Sequence, residues 1–452
     1  QAITLLHIPE TMQDADSARQ RLALEEATTL QEKVQIRRKR FMESMKALPC
    51  AHDNRLIKPF LESLPFQLTK AQIRVLAEFR EDLSVQHPMR RLLQGDVGSG
   101  KTVIAVMAAL MVLESGYDAS MMAPTTLLAE QHYRTISQWL TPYPIQVALH
   151  TGNTKTPTKS ELPLFTIGTH ALIQSNETSK KLGMVIIDEQ HKFGVTQRDK
   201  LLRRGAHPHL LVMTATPIPR TMGLTLYGDL DISTLEEMPA GRGSLKTYLR
   251  TANSRPKVLS FLKKQIGTGR QAYFVFPRVE EKEESEITAV TKELSVLSEY
   301  FAPFRVAMVH GKMKSEEKDR IMRSFSDGET QILLATTVIE VGVDVPNATV
   351  MVIEDAEQFG LAQLHQIRGR IGRGLHASHC ILIGDETKKE AWERLKVLEQ
   401  TRDGFLIAEA DFKVRGPGEL AGKQQSGLPR WRYLDLCKDR PLLESARAEV
   451  RR

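Results

Sequence analysis

The sequence predicts two doubly wound, parallel-sheet α/β domains in tandem, with a helical linker before them and a helical hairpin and loop after them. Three observations predict this. Short apolar runs alternate with longer helical patterns in two successive series of similar size. Between the series, Pro239-Ala240-Gly241-Arg242-Gly243 reads as a linker. The chain has 452 residues, which at about 150 per domain is two to four domains.

The elements follow in order. Across 16–48, Leu22, Leu24, Leu30, Val34, Phe41, Met45 and Leu48 recur at helical spacings until Pro49. Arg37-Arg38-Lys39-Arg40 within that run suits phosphate contact or, as the blander reading, a solvated face. The first strand series is Leu92-Leu93, Met121 to Ala123, Val147 to Leu149, Leu164 to Ile167, Met184 to Ile187 and Leu210 to Met213. The second is Tyr273 to Phe276, Val306 to Val309, Ile332 to Ala335, Val350 to Ile353 and Cys380 to Ile383. Thr387-Lys388-Lys389-Glu390 has the spacing of a capping box, opening a helix with Trp392, Leu395 and Leu398. A second helix is expected over Phe405 to Phe412, then a glycine-rich loop from Arg415-Gly416-Pro417-Gly418 to Gly427. The expected division is 1–50, 51–240, 241–385 and 386–452.

Composition excludes several classes. Hydrophobic residues at 41% and charged residues at 26% exclude disordered and low-complexity chains. The apolar run Thr102 to Leu113 falls short of the ~18 residues a membrane span needs. No secretory signal opens the chain, and the first residue, glutamine, leads us to expect a portion preceding it. Cys50, Cys380 and Cys437, odd in number and scattered, imply neither a disulfide framework nor a zinc site, hence a reducing cytoplasm. The net charge of +7 weakly favours an anionic partner such as nucleic acid.

Gly95-Asp96-Val97-Gly98-Ser99-Gly100-Lys101-Thr102 has P-loop spacing. Glycines let consecutive backbone N–H groups curl around a phosphate, and the following helix adds the positive end of its dipole. Gly98, Ser99 and Gly100 form that cradle, Lys101 reaches the β/γ-phosphates, and the Thr102 hydroxyl ligates magnesium. Asp188-Glu189 ends an apolar strand, where doubly wound folds bind ligands: Asp188 suits magnesium and Glu189 suits orienting or deprotonating water. In the second series, Arg370 and Arg373 lie three apart and suit arginine fingers acting across a cleft. His150, His310, His365 and His376 lack metal-ligand spacing and read as polar surface or cleft residues, and Trp139 and Trp392 as packing.

The order of these motifs over roughly 65–385 resembles superfamily 2 helicases and translocases, whose two motor domains are RecA-like. Phe66 to Gln72 resembles the adenine-recognising Q-motif, with Gln72 as reader. Ala123 to Leu127 and Gly168 to Leu172 resemble the DNA-backbone motifs Ia and Ib, which implies DNA contact at Thr125 and Thr169. Asp188-Glu189-Gln190-His191 resembles motif II, with Gln190 and His191 in coupling. Thr214-Ala215-Thr216 resembles motif III, and Ala335 to Asp344 motif V, which places Gly342 and Asp344 at the nucleotide.

Asp188 to Arg198 and Thr214 to Thr221 are similar to the RecG family of ATP-dependent DNA helicases. The carboxy-terminal hairpin and Arg415-Gly416-Pro417-Gly418 resemble that family's TRG (translocation in RecG) motif, which implies coupling roles for Arg394, Arg415 and Gln425. The family's amino-terminal wedge has no counterpart in these residues. Transcription-repair coupling factor shares the hairpin but usually carries Glu at position 190 and Ala at 417. The resemblance implies an ATP- and Mg2+-dependent duplex translocase that remodels stalled forks and Holliday junctions in recombination and repair. It also implies a monomeric, cytoplasmic, nucleoid-associated enzyme, with single-stranded-DNA-binding protein as an accessory partner. No run of aromatics of the kind that stacks single-stranded bases is visible, which favours duplex tracking. The repair-coupling translocase, a DNA-independent nucleotide switch and an RNA-unwinding enzyme are the alternatives.

Overall fold

In the computed structural model, the described residues are 2–44, 46–48, 50, 53–152, 154–157, 161–174, 181–189, 207–215, 230–239, 243–277, 283–336, 345–420, 432–435 and 438–450. The chain opens with α1 (Ala2–His7), the 33-residue α2 (Met12–Ser44), α3 (Ile57–Ser63) and α4 (Lys70–Ser84). The first lobe continues through β1 (Arg90–Gly95), α5 (Lys101–Leu113), β2 (Asp118–Met122), α6 (Thr126–Leu140), β3 (Gln146–His150) and β4 (Leu164–Gly168). It ends with α7 (Ala171–Gln174), β5 (Leu182–Ile187), β6 (His209–Thr214) and β7 (Asp231–Leu235). The second lobe is β8 (Leu245–Thr251), α8 (Arg255–Gly267), β9 (Gln271–Val275), α9 (Glu283–Phe301), β10 (Val306–Val309), α10 (Ser315–Ser326), β11 (Ile332–Ala335), β12 (Ala348–Ile353), α11 (Leu361–Arg368) and β13 (Ser378–Gly384). Last come α12 (Lys389–Gln400), α13 (Gly404–Leu420) and α14 (Arg440–Val450).

Both sheets are parallel throughout. Their orders are β3-β4-β2-β5-β6-β1-β7 and β10-β11-β9-β12-β13-β8. Each is covered on both faces, which is why β5, β6, β9, β11 and β12 are buried end to end and carry apolar runs such as Leu210 to Met213 and Val350 to Ile353. Every residue of α5 from Val103 to Leu113 is buried. Its N-cap, Gly100, has no side chain to cap with. Packing therefore holds the helix, at about 1.5–3 kcal/mol for each large aliphatic side chain buried.

The long α2 runs from the first lobe to the end of the chain. Arg38 donates to Asp231 of β7 at 2.8 Å. Farther along, Ala23, Ala27 and Leu30 pack with Phe412 of α13 and with Leu434, Leu443 and Ala446. Arg19 grips Asp439 with both terminal nitrogens (2.8 and 2.9 Å), and the Glu26 carboxylate accepts the backbone N–H groups of Arg432, Tyr433 and Leu434.

Four expectations need correction. Strands β7 and β8 were not anticipated: Asp-Ile-Ser-Thr-Leu and Leu-Lys-Thr-Tyr-Leu-Arg-Thr lie at the sheet edges, mix polar with apolar residues and lack a continuous apolar run. The helix expected over 16–48 instead covers Met12–Ser44. Thr387 caps nothing, because Asp385 takes both its hydroxyl and its N–H, and α12 begins at Lys389. The stretch 415–418, expected as loop, is helical backbone, since α13 continues to Leu420.

Candidate active site

Parallel strands point their carboxyl ends one way, so the first lobe's motifs collect on one sheet edge. Reading along the order β4-β2-β5-β6-β1, that edge presents Thr169, Thr125, Asp188 with Glu189, Thr214, and then the P-loop. Thr125 caps α6 by accepting the Leu128 N–H. The buried Thr169 hydroxyl has no hydrogen-bond partner.

The P-loop turns between β1 and α5 with Gly98 at φ 77° and Gly100 at φ 87°, a region that L side chains rarely enter. Lys101 Nζ donates to the carbonyls of Gly95 and Asp96, each at 2.8 Å. Burial pushes the Lys101 pKa below its ordinary value, opposed by the charges of Glu189, Asp188 and Asp96. Gln72 is buried against the same loop. Its amide donates to Ser99 O (2.9 Å), its oxygen accepts the Thr69 N–H, and it closes a capping box on α4.

Asp188 accepts a buried 2.9 Å hydrogen bond from His132 of α6. Burial alone would raise the Asp188 pKa, but that bond and the Lys101 charge hold it below the usual carboxylate value. Glu189 behaves oppositely: burial, then the neighbouring Asp188 charge, raises it. Its backbone lies at φ 54°, a strained position of the kind that gathers at functional sites, and its carboxylate accepts the Ala215 N–H of the motif III stretch. Two carboxylates side by side with pKa values pushed apart can divide the work of holding a cation and accepting a proton.

The second lobe faces this edge with α11 and the turn after it. Arg370 is buried, and its pKa is pushed down to about 10 by burial and by the Arg373 charge, against the pull of Glu189 and Asp188. Arg373 in turn is felt by Lys101. The lobes touch directly as well: His365 Nε2 lies 2.6 Å from Asp96 Oδ1, and Arg323 of α10 donates to Glu130 of α6 at 2.8 Å.

The residues present fit a magnesium–nucleotide. Ser99 supplies a buried hydroxyl without a partner, the glycines leave the loop open for backbone donors, and Thr102 and Asp188 offer hard oxygen ligands. Among the described residues no group of three or more His, Cys, Asp or Glu forms a protein-only metal cage, and no helix is long and apolar enough to cross a membrane.

Of the remaining residues named from sequence, Arg394 of α12 donates to the carbonyls of Glu357 (2.7 Å) and Phe359 (3.2 Å), fixing the hairpin to the second lobe. Gln190, His191, Thr216, Gly342, Asp344 and Gln425 lie outside the described residues, and of Arg415 only the helical backbone is described. Sequence reasoning missed His132, which no motif marks, and the Asp96–His365 pair, whose members belong to different lobes.

Comparisons with known proteins match three stretches of the chain. Residues 69–224 match the DEAD/DEAH box helicase model and 257–374 the helicase conserved C-terminal domain. Residues 401–452 match domain 3, C-terminal, of the ATP-dependent DNA helicase RecG. The ATP-dependent DNA helicase RecG of Synechocystis sp. is 47% identical over 99% of this chain and 55% of its own length. For that of Bacillus subtilis the figures are 44%, 100% and 67%, and for that of Streptococcus pneumoniae 43%, 99% and 68%. This chain therefore spans about half to two thirds of the length of these relatives. A solved structure of RecG bound to a three-way DNA junction superposes with a TM-score of 0.80 at 43% identity, covering 98% of this chain and 59% of that one. Yeast Dbp5 bound to RNA and ADP BeF3, at 17% identity and a TM-score of 0.52 over 75% of this chain and 92% of its own, shares the fold. With its two parallel-sheet lobes, its interlobe phosphate machinery and these relatives, the chain belongs to the RecG family of ATP-dependent DNA helicases.

Proposed function

We propose that this chain is the motor of an ATP-driven enzyme that moves on double-stranded DNA and remodels branched DNA such as stalled forks and Holliday junctions. The observation that carries the reading is the approach of the second lobe to the phosphate loop: His365 lies 2.6 Å from Asp96, and Arg370, five residues on, is buried. In this reading Lys101 and the loop N–H groups bind the triphosphate. Glu189 orients and deprotonates water, and the two arginines offset charge developing on the transferred phosphoryl group. Mg2+ would be held by Thr102 and Asp188 and would neutralise phosphate charge. Gln72 serves the adenine side of the site, and Gly342 and Asp344 contact nucleotide from the second lobe.

Because the catalytic groups are divided between the two lobes, turnover requires the lobes to be together, and domain spacing becomes linked to nucleotide state. Thr125, Thr169, Thr214 and Thr216 take the DNA backbone, while Gln190, His191, Arg394, Arg415 and Gln425 relay lobe movement to the strand. A motor stepping over any sequence relies on such phosphate contacts. Residues 51–240 and 241–385 are the two lobes, 1–50 the linker and 386–452 the coupling unit. The solved RecG on a three-way junction supports branched duplex as the substrate class. A monomer in the cytoplasm and nucleoid, with single-stranded-DNA-binding protein as an accessory, completes the reading.

ATP hydrolysis measured with and without forked duplex tests it. Turnover should rise with DNA and vanish in Lys101→Ala, while Arg415→Ala should retain DNA-stimulated hydrolysis and lose strand movement. Hydrolysis that ignores DNA would leave only a nucleotide switch.

A further inference from the structure

The P-loop residues Asp96 and Val97 bind no phosphate in the reading above, yet both reach the opposite lobe. Asp96 Oδ1 accepts from His365 Nε2 at 2.6 Å and from its neighbour's N–H (Val97) at 2.7 Å. One helical turn beyond His365, Gly369 comes so near Val97 that a Cβ there would lie 2.8 Å from the valine side chain. His365 is itself buried, with its other ring nitrogen occupied: Nδ1 faces Arg368 Nη2 at 2.9 Å. A guanidinium only donates, so Nδ1 must accept and the ring proton sits on Nε2, aimed at Asp96. Arg368 then donates to the carbonyls of Leu398 (2.8 Å) and Thr401 (3.0 Å) at the turn of the carboxy-terminal hairpin.

We infer that His365 and Asp96 form an interlobe positioning pair, which docks the phosphate loop onto α11 and thereby sets where Arg370 and Arg373 stand relative to the triphosphate. The inference deepens the ATP-motor reading and rests on it. The imidazole suits the task because one rigid ring accepts from Arg368 on its own lobe and donates across the cleft. An apolar ring of similar size would fill the space and transmit nothing. The Asp96 carboxylate is suited to its half: burial would raise its pKa, but the His365 and Val97 hydrogen bonds and the Lys101 charge hold it below its ordinary value. The pair touches no reacting atom, so its effect should fall on turnover more than on nucleotide binding, which the first lobe supplies.

DNA-stimulated ATPase kinetics of the full chain test this, using H365F, H365Q, D96A and the double variant D96A/H365F. His365→Phe should lower kcat about tenfold, the scale expected for sub-ångström misplacement of catalytic groups, with KM for ATP changed less than about twofold. His365→Gln carries both a donor and an acceptor at its amide and should keep kcat within about threefold of the parent. The double variant should be no slower than the slower single one. A parent-like kcat for His365→Phe, equal losses for Phe and Gln, or single losses that multiply would each overturn the pairing. Lys101→Ala separates the two readings. If it hydrolyses normally, the motor reading itself falls; if it is dead while His365→Phe is unaffected, only the pairing falls.

Discussion

Replacing Gly369 by alanine tests how closely the lobes must approach. Its backbone lies at φ −65° and ψ −6°, which any residue adopts, so the added methyl is the whole perturbation. That methyl would sit 2.8 Å from Val97 Cβ and from Cγ2, against about 3.4 Å for an ordinary contact. The shortfall, about 0.6 Å, cannot be absorbed by a bond rotation, because a β-carbon is one of the two clashing atoms. The turn bearing Arg370 must move back from the phosphate loop. Since a 1 Å misplacement of catalytic groups costs about 10²-fold, a kcat loss of about tenfold is expected, near 1.4 kcal/mol. The assay is steady-state hydrolysis at saturating duplex DNA, with nucleotide affinity followed separately by a fluorescent analogue. The same substitution made in a Val97→Gly background removes both clashing atoms and should cost far less. An unchanged kcat for Gly369→Ala, or an equal loss in both backgrounds, would refute the reasoning.

Two further outcomes are expected. His132→Leu strips the buried Asp188 carboxylate of its 2.9 Å partner, and the Mg2+ concentration for half-maximal turnover should rise about tenfold, read by magnesium titration. Arg19→Ala should destabilise the anchoring of the chain's end on α2 by about 2 kcal/mol at neutral pH, read by urea unfolding against the parent. Asp439 is buried, but its hydrogen bonds from Arg19 and Asp435 hold its pKa below the ordinary carboxylate value. Its contribution is therefore present above about pH 4 and lost as pH falls through that lowered value, and the gap between variant and parent should close in acid.

The doubly wound architecture is legible in the sequence because strands buried on both faces leave unbroken apolar runs, as β5 and β6 do. Edge strands β7 and β8 are not legible by that criterion, since polar residues interrupt their apolar ones and they are buried only in part. The phosphate site is legible wherever chemistry fixes residue type at short range: glycines with positive φ, a lysine at a helix start, carboxylates at a strand tip. His132 and His365 are hidden for the opposite reason. Each is defined by a partner 56 or 269 positions away, and no local pattern carries that distance. Helix α13 hides the reverse error: glycine and proline at 416–418 argue for a loop, yet the helix continues through them.

The account depends on turnover requiring guanidinium groups from the second lobe at a triphosphate held by the first. Parallel measurement of ATP affinity and DNA-stimulated turnover in Arg370→Ala addresses that most directly. Binding should stay within a few-fold of the parent while turnover drops about 10³-fold, as for other arginine fingers. Parent-like hydrolysis by Arg370→Ala would contradict it.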